Sequence, residues 1–252
     1  MYVRLIHLPL CLLFASEPPG SPSAAPEPLP TGDVMTFLEK CVQRYEQQGI
    51  QGYTVILHKQ ERIGGKLQAS EEIESYYREK PYSVFMHWLR GQRKAESSLY
   101  VEGENGGKML AKPAGLAGVF VKVVERDVDG DDARQSGRYT MKEFGLKAAI
   151  QKTYRDWKAA KEKGTLHVQY LGVRKVHEVG GRLCYVLRRT CAEPEEDNVT
   201  DVTLYIDKEN WLQVGAILKD ASGKLIGEYM FHDLRINPEF KPDQFKRSAL
   251  TS

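Results

Sequence analysis

The chain has 252 residues, 41% hydrophobic and 28% charged, with a formal net charge of +2. That length holds one large domain or two small ones with a sizeable core. Phosphate binding needs a concentrated basic surface rather than a marginal excess, so nothing in this charge demands a nucleic-acid partner and none is expected.

Residues 1–15 begin with one cation, Arg4, followed by an eleven-residue apolar run from Leu5 to Ala15 (LIHLPLCLLFA). The run is shorter than the roughly 20 residues a membrane-spanning helix takes. Charged start, short apolar centre and small residue at Ala15 have the form of a secretory signal peptide, although His7 and Pro9 interrupt the run. The stretch from Ser16 to Pro30 contains six prolines and reads as a disordered tether, placing a linker over 16–32 and one domain over 33–252.

Thr31, Gly32 and Asp33 offer caps for a first helix. Its apolar stripe is Val34, Phe37, Leu38, Cys41, Val42 and Tyr45, and Gly49 ends it. Strands are predicted next over Tyr53–Lys59, Glu72–Glu79, Tyr82–Arg90, Ser97–Glu102, Lys108–Ala111 and Val119–Glu125. Tyr82–Arg90 is apolar on both faces, so both faces are expected to be covered. Arg126–Arg138 reads as a polar loop. Thr140, with Glu143 at the capping-box position, starts a second helix to about Lys163, with Phe144, Leu146, Ile150, Tyr154 and Trp157 as its stripe.

Leu166–Glu178 and Arg182–Thr190 flank Gly180-Gly181, a hairpin signal. From Val202 to Phe245 three apolar runs are separated by two polar turns, Asp207–Asn210 and Asp220–Lys224, a three-stranded meander. Short connections imply sequential antiparallel pairing, and so many strands tend to curl. The expected fold class is α+β: a curved antiparallel sheet, a half-barrel of about ten strands, with two amphipathic helices on its concave side.

Chemistry-bearing motifs are scarce. The six histidines are scattered, and no P-loop, GxGxxG or GxSxG occurs, so no catalytic residue, cofactor or metal site is assigned and no enzyme activity is expected. Asp127–Asp132 superficially suggests a calcium loop, but Asp132 and Arg138 stand where the EF-hand needs Gly and Glu. No cysteine pair has zinc spacing. Cys184 and Cys191, seven apart, face opposite sides of a straight strand and cannot bond there, but a bulge or turn between them would allow it. The second helix carries a basic face (Lys142, Lys147, Lys152, Arg155, Lys158, Lys161, Lys163) that reads as solvated, and Asn198-Val199-Thr200 is a glycosylation sequon. Tyr53, Val55, Leu57, Met86, Trp88, Leu204, Ile206, Tyr229 and Phe231 occupy alternating strand faces. They serve either as an ordinary helix-on-sheet core or as the lining of an apolar, ligand-binding cavity.

The pattern Leu204-Tyr205-Ile206-Asp207, the turn Asp220–Lys224, Glu228–Phe231, then Ile236-Asn237-Pro238 and Phe245 resembles the C-terminal half of LolA/LolB-like lipoprotein-carrier folds. With the blocks Tyr53–Lys66, Pro81–Arg90, Leu99–Lys112 and Gly115, the body from about Asp33 to Phe245 resembles a family of exported bacterial domains of unknown function. The resemblance implies a half-barrel cavity, a periplasmic or envelope location, and carriage of a lipid or lipoprotein acyl chain. The competing expectation is a structural or sensory module that uses the same fold to bind an envelope protein.

Overall fold

The computed structural model describes residues 27–116, 120 and 122–251. The stretch expected to be a signal peptide and most of the expected linker lie outside them. Glu27 to Pro30 are held against the body: Leu29 is buried, and Tyr170 Oη donates to the Glu27 carbonyl at 2.8 Å.

The strands are β1 (Gly52–Ile63), β2 (Lys66–Leu67), β3 (Glu71–Arg78), β4 (Ser83–Arg90), β5 (Ala95–Val101), β6 (Lys108–Pro113) and β7 (Val124–Asp127), then β8 (His167–Val176), β9 (Arg182–Thr190), β10 (Asp201–Asp207), β11 (Gln213–Lys219) and β12 (Leu225–Ile236). All pair antiparallel in the order β7-β6-β5-β4-β3-β1-β12-β11-β10-β9-β8, with β2 hairpinned onto β1. The 12 strands among the described residues exceed the expected number of about ten. Gly64 and Gly65, both at positive φ, turn the chain so that Lys66 and Leu67 pair back on Ile63 and Arg62. The strand expected over Val119–Glu125 is displaced: β7 begins at Val124, and residues 117–119 and 121 lie outside the described set. β1 joins the two arms, because the last strand of the C-terminal meander, β12, pairs along it from Tyr53↔Ile236 to Glu61↔Gly227.

Two long helices, α1 (Val34–Gln47) and α2 (Leu146–Glu162), lie side by side on one face of the sheet. α1 starts where Asp33 accepts from the Thr36 N–H at 2.8 Å, one of the donors a helix N-terminus leaves open. Its Phe37, Leu38 and Cys41 pack with Ile150 and Trp157 of α2 against Tyr185, Leu187, Leu204 and Ile206. The helices therefore cover the β9–β11 end of the face rather than all of it. The capping box at Thr140 forms, but on a short 3₁₀ turn, Met141–Glu143. Helix α2 starts only at Leu146, because Phe144 is extended and Gly145 sits at φ +123°. A Cβ at Gly145 would lie 2.8 Å from Tyr53 Oη, which accepts from the Leu146 N–H. A single helical turn, Asp131–Arg134, interrupts the expected polar loop.

On the opposite face, Phe85, Leu99, Val101 and Leu110 are buried with Phe245 and Leu250 of the C-terminal segment. That segment covers the outer side of β4, which explains its apolarity on both faces.

Candidate functional site

Residues two apart on a strand share a face, so pairing register converts β1 into a series of cross-strand rows. Tyr53 stacks on Tyr77 at 4.6 Å between ring centroids. The next row is Val55–Ser75–Met86, followed by Phe231–Leu57–Ile73–Trp88. The character then changes. Tyr229–Lys59–Glu71 forms the following row, and the last crosses five strands as Glu61–Gly227–Leu218–Val202–Arg189. The inner face is thus graded from packed aromatics through aliphatic rows to a charged rim.

Between this face, α2 and the segment from Asp132 to Gly145 lies a cavity of about 1070 Å³. The covering segment is tied down at several points. Tyr82 Oη donates to the Met141 carbonyl at 2.6 Å, Arg93 Nη2 donates to the Ser136 carbonyl at 2.7 Å, and the Arg138 N–H donates to Glu61 at 3.3 Å. Leu57, Met86, Trp88, Leu204, Tyr229 and Phe231 are on the cavity wall. Tyr53, Val55 and Ile206 are buried away from it, Tyr53 beneath the start of α2 and Ile206 beneath α1. Tyr53 and Val55 belong to the buried cluster that includes Phe144 and Leu146, and Ile206 to the one that includes Phe37 and Ile150, which alternation along a strand does not reveal.

The charged rim was absent from the sequence reading. Glu61 and Glu71 are 3% and 5% exposed. Lys59 Nζ bridges them, 3.2 Å from each. Glu71 also accepts from Trp88 Nε1 at 3.0 Å and pairs with Arg93 at 3.4 Å. Glu61 accepts from Tyr229 Oη at 2.8 Å. Burial, reinforced by the Glu61 charge, pushes the Tyr229 phenol far up, so it remains a donor. Each carboxylate thereby has three partners, Glu61 counting the Arg138 N–H. A signal for this rim exists in the sequence: Lys59 and Glu61 continue the same alternation as Val55 and Leu57.

Elsewhere the sequence motifs are used internally. Lys142 pairs with Asp129 at 2.5 Å and Arg126 with Asp132 at 3.4 Å, so the acidic run engages the chain's own cations. Lys147 of the basic helix face pairs with Glu79 at 2.5 Å. Cys41, Cys184 and Cys191 are free thiols, and burial pushes Cys41 and Cys184 up to about 12. Among the described residues no cluster of three or more His, Cys, Asp or Glu could hold a metal ion. No described helix is long and apolar enough to cross a membrane.

Residues 50–249 match the family model described as a protein of unknown function, DUF1571. The chain belongs to this family. No curated protein matches the DUF1571 chain in sequence. Among solved structures it is similar to MucB at 15% identity and a TM-score of 0.50, over 84% of this chain and 61% of that one. The DUF1571 chain thus spans less than two thirds of MucB, and the likeness is one of fold. It also aligns with the Mycobacterium tuberculosis lipoprotein LppX (12% identity, TM-score 0.45, 83% and 99% of the two chains). A LolA superfamily protein from Nitrosomonas europaea aligns at 10% identity and a TM-score of 0.35, over 84% and 98%. The expected membership of a family of unknown function is met.

Proposed function

We propose that this DUF1571 protein is a non-enzymatic carrier that shelters the apolar chain of a lipid or lipoprotein in the space between its sheet and its helices. The observation that carries the reading is the cavity of about 1070 Å³ itself, walled by Leu57, Ile73, Met86, Leu204 and Phe231. Folded interiors are normally packed with few voids larger than a water molecule. A space at the upper end of the range for small-molecule sites, with apolar walls and a charged rim, fits a ligand with a long apolar body. The carboxylates at the rim already have protein partners, which leaves them poorly placed as acid or base. The leader-like residues 1–15 and the Pro-rich stretch support work in the periplasm or envelope.

Purification from the native host followed by organic extraction and mass spectrometry tests this. Near-stoichiometric lipid is expected. Folded protein that carries no lipid but retains one stable protein partner would overturn it in favour of an interaction module.

A further inference from the structure

Two arginines differ from every other charged group on the cavity wall. Arg189, from the inner face of β9, is 2% exposed, and the Arg138 side chain is 9% exposed. Both line the cavity. Nε of Arg189 and Nε of Arg138 have no hydrogen-bond acceptor, and Nη1 of Arg138 has a poorly aligned Asp197 carboxylate at 3.0 Å, while Tyr139 also bonds the Arg138 side chain. A guanidinium presents five donors in a fixed fork, and leaving one buried without an acceptor is costly.

The existing partners approach from outside. Glu195 takes the Nη1 and Nη2 end of Arg189, and Asp197 takes Arg138; these carboxylates are 40% and 57% exposed. Glu195 and Asp197 are two residues apart, so their backbones lie within about 7 Å, which brings the two guanidiniums under one short loop. Glu61 and Glu71 are engaged by Lys59, Arg93, Trp88 and Tyr229, and neither accepts from these Nε donors. Around the whole wall ten Lys and Arg face seven Asp and Glu.

Resting on the carrier reading above, we propose that the ligand has an anionic oxyacid head, and that Arg138 and Arg189 receive it through their unanswered Nε–H groups while the apolar chain runs toward Leu57, Met86 and Phe231. Carboxylate and phosphate share the planar or forked oxygens that match a guanidinium. A fatty acid and an anionic phospholipid both supply that chemistry.

The test is calorimetric titration of the full protein with hexadecanoic acid, hexadecan-1-ol and a lysophosphatidylglycerol of the same chain length. The wild type is expected to bind at least one of the two anionic probes about tenfold or more tightly than the alcohol. The preference is expected to collapse in Arg138→Gln and Arg189→Gln, and to fall in the wild type as salt is raised. Tight binding of the acid alone assigns the head to a carboxylate; tight binding of the lysolipid alone assigns it to a phosphate. Equal binding of all three probes by the wild type, a comparison that needs no variant to fold, would overturn the head-group assignment and leave the carrier reading standing. Binding of none would overturn both. An anion preference unchanged in both folded variants would overturn the role of these arginines.

Discussion

Replacing Phe37 by alanine is expected to lower the unfolding free energy by about 3–5 kcal/mol, the usual cost of deleting a buried aromatic ring. Phe37 is fully buried. Its ring centroid lies 5.1 Å from that of Tyr185 on β9 and 5.0 Å from that of Trp211 in the β10–β11 turn. It pins α1 to the sheet. Trp211, itself at φ +62°, is held over that ring by the turn and receives Arg44 on its face at 4.9 Å. Denaturant unfolding followed by circular dichroism measures the change, with Glu39→Ala on the exposed side of α1 as a control within about 0.5 kcal/mol. A loss near that of the control would mean that α1 is not anchored through this residue.

Lys59→Met is expected to cost roughly 3 kcal/mol or more, although methionine matches the lysine stem in length. The substitution leaves two buried carboxylates facing one another, and breaking a buried ionic cluster by removing one partner costs about 3–5 kcal/mol. The lower part of that range is expected, because Glu71 keeps Arg93 and Trp88 while Glu61 keeps Tyr229 and the Arg138 N–H. The same denaturation assay on Lys59→Met combined with Glu61→Gln should recover part of the loss, since residues in one network do not act additively. A cost below about 1 kcal/mol for the single substitution would show that water, rather than Lys59, compensates the rim.

Much of the architecture was legible in the residues. The stripe from Phe37 to Tyr45 is buried almost as its spacing implies, and the runs after Val202 became β10, β11 and β12 in meander order. What was not legible depends on tertiary contacts. The capping box at Thr140 is locally correct, yet the long helix starts only after Gly145, where Tyr53, 93 positions before Leu146, receives the Leu146 N–H. β2 is too short for any periodicity to show, and only the glycine pair hints at it. Alternation assigned nine side chains to one face but could not say which part of that face the helices would fill. Tyr53, Val55 and Ile206 are therefore packed, and the other six border open space.

The charged rim was missed for a different reason. Charged residues at strand ends normally face solvent, so nothing singled out Lys59, Glu61, Glu71 and Arg189. Yet each falls in step with apolar neighbours, Lys59 after Leu57, Glu71 before Ile73 and Arg189 after Leu187. A strand whose inward face turns charged partway along marks the end of an apolar wall, and the spacing alone carries that signal.

The central claim is that the space beneath α2 holds an apolar chain. Filling it is the direct test. Ala216 on β11 lies on the cavity wall, in the row between Leu204 and Tyr229. Titrating the protein with cis-parinaric acid, which fluoresces when its chain leaves water, should give saturable binding to the wild type. Ala216→Trp, with its melting temperature retained, should bind at least about tenfold more weakly, because the indole occupies the volume the chain needs. Equal binding by both proteins, or no saturable binding by the wild type, would contradict the account.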